Sequence, residues 1–137
     1  MKTKGQLKYL QLNGFKEVKD FRNPEIELKG VECVYVFLHK KEICRLMGKS
    51  AIIKIGQTKN LHGRLKRYFS KEDASKLKNK PKRQTAYRLR TFVDSKVGIK
   101  LMYKICKSDG SKQHEKSMLK EFQEQHMDLP PLNMCSR

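Results

Sequence analysis

The sequence predicts an α/β (α+β) fold in which a small central, mainly antiparallel sheet of three strands is flanked by helices. With 137 residues, the chain is long enough to bury a single core. The clearest evidence is a β-branched run at 52–55 that ends at Gly56. Apolar residues then recur at helical spacing, at Leu61, Leu65 and Phe69. This order predicts a strand, a tight turn and a helix.

The first 30 residues give the weakest pattern, and we interpret 1–30 as an N-terminal extension packed on a domain that spans 31–137. Four apolar residues could share one helical face, namely Leu7, Leu10, Val18 and Phe21. Because Asn13-Gly14 is a strong turn signal between them, one long helix and two short elements both fit the pattern. The alternation at 25–28 is typical of an edge strand.

A run rich in Val, Tyr and Phe at 31–38 predicts the first core strand. Side chains alternate along a strand, so its residues divide between two faces, with Val34, Val36 and Leu38 on one and Tyr35 and Phe37 on the other. The basic segment at 39–50, with Gly48 as its turn residue, is predicted to be an extended hairpin loop.

The second half of the chain follows the same periodicities. We predict a lysine-rich loop at 70–83, a helix at 84–95, a third strand at 97–105, a last helix from 112 to about 126, and an extended segment at 129–134. Ser111 is a reasonable N-cap for the last helix.

The charge of the chain points to a polyanionic partner. Lys and Arg number 32 against 14 Asp and Glu, a formal net charge of +18, and nucleic acid is the leading candidate. A membrane-surface protein would need a long helix with Lys on one face and bulky apolar residues on the other, and the sequence has none. Basic side chains predicted to contact phosphate without sequence preference are Lys40, Lys41, Lys66, Arg67, Arg88 and Arg90. The 39–50 loop either reaches along DNA or is an ordinary solvated loop.

Cysteine usage and hydropathy indicate an intracellular protein. The four cysteines, Cys33, Cys44, Cys106 and Cys135, form no C-x-x-C pair. Neither a zinc site nor a disulfide framework is therefore expected, and we interpret them as small apolar fillers in a reducing cytosol. No apolar run has the length of a signal peptide core or the ~18 residues of a membrane span. These features predict a soluble, cytoplasmic protein without a membrane partner.

Two helices carry polar residues in positions where chemistry is possible. Glu115 falls within the inward face of the last helix, which also contains Met118, Leu119, Phe122 and His126. A carboxylate that faces inward needs a partner. Alternatively, an acid in the first turn can simply stabilise the helix by about 0.3–1 kcal/mol through its interaction with the helix dipole. Arg64 and Tyr68, four residues apart, lie on the margin of an apolar stripe. They could equally be a snorkelling surface arginine and a core aromatic.

The sequence motifs of these segments resemble those of the GIY-YIG nuclease superfamily, most specifically over 34–69 and more weakly to Asn133. That family carries Gly-Ile-Tyr on one strand, Tyr-Ile-Gly on the next, an arginine on the following helix and a metal-binding glutamate at the start of a later helix. The corresponding residues here are Tyr35, Gly56, Arg64 and Glu115, with Tyr68 where the family has histidine or tyrosine. Two positions depart from the pattern, because Cys33 and Lys54 stand where glycine and tyrosine are usual.

The resemblance implies a Mg²⁺-dependent or Mn²⁺-dependent DNA endonuclease. Glu115 would bind the metal, a hard cation that needs few protein ligands. Arg64 would stabilise charge on the phosphate, and Tyr35 would position or deprotonate the attacking water, with Tyr68 in the same cluster.

Two of the implied roles stay open. Lys54 could act as a base or as a phosphate ligand, and Asn133 could brace the site or be a plain turn residue. The alternative function is a non-catalytic nucleic-acid-binding module on the same scaffold, and a basic RNA-associated structural protein is a third possibility. A homodimer is expected only if the DNA site is palindromic.

Overall fold

The centre of the fold is a four-stranded antiparallel sheet with the strand order β1-β4-β2-β3. The computed structural model describes residues 3–69, 84–93, 98–107 and 110–133. The strands are β1 (Lys16–Val18), β2 (Cys33–Cys44), β3 (Lys49–Thr58) and β4 (Ile99–Ile105). The helices are α1 (Thr3–Leu12), α2 (Leu61–Tyr68), α3 (Gln84–Val93) and α4 (Gly110–His126). The predicted loop at 70–83 lies outside the described residues.

The mixed α+β class is confirmed, but the sheet has one strand more than predicted. The additional strand is β1, which pairs antiparallel with β4 and places Glu17 opposite Met102. Its three residues are too few to show an alternating pattern, and only Val18 among them is buried. The strand expected at 25–28 is wrong, because Ile26–Leu28 forms a 3₁₀ turn that buries Leu28.

The N-terminal segment forms two short elements, which was one of the two alternatives. Gly14 ends the turn after α1 with φ of +87°, a conformation that favours glycine. Leu10 and Phe15, on either side of this turn, are buried in the core beside β2. The boundary between an extension and a domain at residue 30 stays a prediction.

Helices cover both faces of the sheet, as the alternation along β2 predicted. Tyr35 and Phe37 face a core that includes Leu61, Leu65 and Leu89 from α2 and α3. Val34, Val36 and Leu38 face a second core that includes Leu10 from α1 and Phe122 from α4. The first half of β2, 33–38, is therefore buried on both sides, and its two faces separate the residues that form the candidate site from those that only pack.

The hairpin predicted at 39–50 is present, but its strands continue through most of the predicted loop and leave a short tip at 45–48. The β2–β3 ladder continues to the pair Cys44 and Lys49. The tip is fixed to the end of α4, because the Met47 N–H donates to the carbonyl of His126 (3.1 Å) and the His126 ring to the carbonyl of Met47 (2.6 Å). Arg45 also forms a salt bridge of 2.6 Å with Asp128. These contacts join residues about 80 positions apart, so local sequence did not indicate them.

The described cysteines differ in their surroundings. Cys33 is buried, and burial raises the pKa of its thiol to about 12. Cys106 is partly buried, whereas Cys44 is exposed, so the interpretation as an apolar filler is wrong for Cys44. Cys135 lies outside the described residues. Within the described part of the chain, no helix combines the length and apolar character that crossing a membrane requires.

Candidate active site

A polar cleft of about 370 Å³ lies where the start of β2, the end of β3, α2 and the first half of α4 meet. All six residues predicted for catalysis line this cleft, namely Tyr35, Lys54, Arg64, Tyr68, Glu115 and Asn133. A smaller groove of about 140 Å³ between α1 and α4 is mainly apolar and has Glu121 as the only charged residue in its wall. We therefore place the chemistry in the polar cleft.

Two tyrosines form the floor of the cleft. The hydroxyl groups of Tyr35 and Tyr68 are 2.7 Å apart and share a hydrogen bond. Tyr35 pairs across the sheet with Gly56, and its ring lies over this glycine. A Cβ atom at position 56 would lie 2.5 Å from the Tyr35 hydroxyl oxygen and 2.8 Å from Cε2. The absence of a side chain at Gly56 therefore allows the ring to reach the cleft.

Replacing Gly56 by alanine is expected to lower the free energy of unfolding by about 1–3 kcal/mol, because the fully buried Tyr35 ring must shift. Urea unfolding measures this change. Gly110→Ala is the matched control, since its Cβ would meet only Cys106 Cβ at an ordinary 3.9 Å. Equal stability of the two variants would show that the ring can move without strain.

The electrostatic environment keeps Tyr35 protonated. Burial raises the pKa of Tyr35 well above its ordinary value, Tyr68 raises it further, and Arg64 only partly opposes this. The Arg64 guanidinium interacts with both phenol oxygens. Tyr35 is consequently suited to donate a hydrogen bond in the cleft, and the environment gives no support to the alternative that it removes a proton from water.

The regular pairing at the end of β3 places Lys54 on the cleft side of the sheet, next to a β-bulge. Phe37 pairs with Lys54, but Leu38 pairs with Ile52, so Ile53 is an extra residue in β3. Alternation along β3 predicts that Lys54 faces away from both Ile53 and Ile55. This is correct for Ile55, which packs in the other core. The prediction is wrong for Ile53, which the bulge turns into the core on the Tyr35 face. Lys54 is 6 % exposed and acts electrostatically on Glu115.

Glu115 approaches the cleft from the second turn of α4. Burial raises the pKa of this carboxyl, while Lys54, Arg64 and a hydrogen bond from the Gln57 backbone lower it and do not fully compensate. The carboxylate thus lies half-buried between two cations. This environment is specific to the position, because Glu124 on the same helix is exposed.

Asn133 holds the edge of β3 beside the cleft. Its side-chain oxygen accepts from the Ile55 N–H at 2.8 Å, and its side-chain nitrogen donates to the Ile55 carbonyl at 2.7 Å. The Leu132 N–H donates to the Ile53 carbonyl at 2.9 Å. The C-terminal segment therefore lies against β3. The predicted extended conformation is wrong for 131–133, which form a turn in which the Asn133 N–H donates to the Pro130 carbonyl at 3.0 Å.

Sequence reasoning missed a hydrogen-bonded group at the start of α4. Ser111 is not an N-cap, because the helix begins at Gly110 and Ser111 lies in its first turn. Its buried hydroxyl instead contacts Glu32 and the side chain of Gln57, and Gln57 also lines the cleft. The position of Gln57 directly after Gly56 was the only local signal.

The predicted phosphate contacts lie outside the cleft. The exposed ones are Lys40, Lys41, Lys66, Arg67 and Arg88. Arg90 differs from the prediction because it is half-buried, and its Nε donates to the carbonyl of Tyr68 at 2.9 Å. This bond satisfies a carbonyl at the end of α2, so Arg90 supports the helix that carries Arg64 and Tyr68.

The cleft suits a hydrated hard cation and not a site made only of protein ligands. Within the described ranges, no group of three or more His, Cys, Asp or Glu side chains is arranged to hold a metal. Mg²⁺ commonly binds to one or two carboxylates and fills its other positions with water and phosphate oxygens. The half-buried Glu115 carboxylate in a cleft of about 370 Å³ meets these requirements.

A comparison of the chain with protein-family models, curated proteins and solved structures finds no match. The chemistry assigned to the cleft therefore rests on its own geometry and on the resemblance of the sequence motifs.

Proposed function

We propose that the protein is a divalent-metal-dependent DNA endonuclease with a GIY-YIG-like catalytic domain. The observation that carries this proposal is the convergence of Tyr35, Lys54, Arg64 and Glu115 on one cleft, although they come from three separate parts of the chain. The formal net charge of +18 supports a polyanionic substrate. Two cations and a carboxylate beside tyrosine hydroxyls form a set that can bind and hydrolyse a phosphodiester.

In this proposal the cations bind the scissile phosphate. Arg64 presents a planar fork that matches two non-bridging oxygens, and its contacts with the two tyrosines fix its orientation. Lys54 supplies a second positive charge and stays a candidate for either phosphate ligand or base. Glu115 would hold the cation, which when bound would polarise the phosphate and lower the pKa of a bound water.

The tyrosines would orient the reacting water. Tyr35 keeps its proton, so it can donate to a water or phosphate oxygen while the Tyr68 hydroxyl donates to the Tyr35 oxygen. Asn133 would act through β3 by fixing the backbone between Lys54 and Gly56. The exposed basic residues on α2, α3 and β2 would add phosphate contacts without sequence preference.

The test is nicking of supercoiled plasmid by the purified protein with Mg²⁺ or Mn²⁺, compared with EDTA. The proposal predicts nicked circles only with the metal. A gel shift with the same DNA in EDTA measures binding separately. DNA binding without metal-dependent cleavage would favour the second candidate, a non-catalytic DNA-binding module. The observation that favours this candidate is the buried Lys54 beside Glu115, a pair of opposite charges in the wall of the cleft.

The rate of nicking should depend on pH through Glu115. Its pKa is raised, mainly by burial, and a protonated carboxyl does not hold a cation. Metal binding should therefore be full above this raised pKa and lost as the pH falls through it. Mn²⁺ titrations between about pH 4 and pH 8 give the metal affinity at each pH, and the midpoint is the pH at which the affinity begins to fall. A midpoint at or below about 4.3, the value of a free glutamate, would contradict the prediction.

A further inference from the structure

Gln57 lines the cleft, and its side-chain amide is held by a chain of hydrogen bonds at the start of α4. Ser111 Oγ lies 3.0 Å from Glu32 Oε2 and 3.3 Å from the Gln57 amide. The Ser111 backbone N–H also faces Glu32 Oε2, at 3.5 Å. Because Ser111 is 1 % exposed, its hydroxyl bonds to these side chains and not to bulk water.

The number of hydrogens in this chain determines which way the amide faces. The Ser111 hydroxyl has one hydrogen, and the Glu32 carboxylate can only accept, so the shorter and charge-assisted contact takes that hydrogen. The hydroxyl then has only lone pairs to offer Gln57. The favourable partner for these lone pairs is an N–H group.

The Gln57 atom nearest Ser111 is assigned as Oε1, but amide oxygen and nitrogen are nearly equal in shape and the hydrogen-bond network decides between them. An oxygen at this place would face the lone pairs of another oxygen. With the amide turned over, Nε2 donates to Ser111 and Oε1 is left for the cleft.

Gln57 also contacts the carboxylate of the site, because its backbone N–H donates to Glu115, and both residues line the cleft. We propose that Gln57 Oε1 is a second, neutral oxygen ligand, direct or through one water, for the divalent cation held by Glu115. Amide oxygens are ordinary ligands of hard cations. The inference rests on the proposed function and adds a ligand to it, with Ser111 and Glu32 fixing the orientation of that ligand.

The experiment is a titration of the protein with Mn²⁺ in the absence of DNA, with free Mn²⁺ measured by electron paramagnetic resonance. Gln57→Leu should weaken Mn²⁺ binding by about tenfold or more. Gln57→Glu should strengthen it, because a carboxylate replaces a neutral oxygen. Ser111→Ala should weaken binding in the same direction but less. Gln113→Leu is the control, because Gln113 is exposed on α4, the helix that carries Ser111. This variant should bind Mn²⁺ as the wild type does.

Circular dichroism and melting temperature show whether each variant is folded, and Gln57→Glu keeps the test valid if the leucine variant does not fold. Equal Mn²⁺ affinity of the wild type, Gln57→Leu and Gln57→Glu would overturn the inference. A Gln57→Leu protein that lost DNA affinity but kept the Mn²⁺ affinity of the wild type would also overturn the inference. That result would indicate that the amide donates a hydrogen bond to phosphate. A wild type that neither binds Mn²⁺ nor nicks DNA would instead overturn the proposed function.

Discussion

Glu115→Gln is expected to reduce metal-dependent nicking by about 10³-fold or more. Among the residues that the structure describes, Glu115 supplies the only carboxylate in the wall of the cleft, and glutamine keeps its size while removing the charge. A bound metal is worth several kcal/mol to a reaction of this kind, and about 4 kcal/mol corresponds to a factor of about 10³. Single-turnover cleavage of a labelled duplex at saturating protein measures the chemical step.

Glu124→Gln is the matched control, because Glu124 is exposed on the same helix and the substitution changes the net charge equally. It should cleave as the wild type does. DNA affinity should be similar for both variants or slightly higher, since each removes one negative charge from a basic protein. A Glu115→Gln protein that retained full metal-dependent cleavage would remove the basis for the proposed site.

Arg64→Lys is expected to reduce the rate of cleavage by about 10²–10³-fold, the usual effect of losing one preorganised donor to transition-state charge. Lysine keeps the positive charge but cannot form two parallel hydrogen bonds to a phosphate. It also cannot reproduce the contacts of the guanidinium with Tyr35 and Tyr68. The same single-turnover assay measures the effect.

Arg67→Lys is the comparison for this change, because Arg67 is exposed on the same helix. It should alter the rate by less than about twofold, since a surface substitution of one cation by another leaves the phosphate attraction in place. If both variants were equally impaired, helix packing and not the fork of Arg64 would explain the loss.

The sequence predicted the parts of the site that depend on local periodicity. The switch from strand to helix after Gly56 placed Arg64 and Tyr68 on one margin of α2, and alternation along β2 separated Tyr35 from its valine neighbours. The inward position of Glu115 followed from the apolar spacing of α4. The motif resemblance then indicated that these residues meet, which periodicity alone could not show because they belong to distant segments.

What the sequence did not predict depends on long-range contacts. The extent of strand pairing at 39–44 and 49–50 was not predicted, and the contacts that fix the hairpin tip come from Asp128 and the end of α4, far along the chain. The bulge at Ile53 breaks the alternation without any glycine or proline to mark it. The role of Ser111 was missed because a serine at a helix start usually caps the helix, and Glu32 and Gln57 approach only in the folded chain.

The outer side of β3 has a consequence for self-association. At an uncovered sheet edge, a strand of a second molecule can pair with the backbone and continue the sheet. Here Leu132 and Asn133 bond to the backbone of Ile53 and Ile55, and Glu115 accepts from the N–H of Gln57. A copy that joined this edge would have to displace two cleft residues. A dimer that continued the sheet would therefore have to pair through the opposite edge strand, β1, and leave the cleft free.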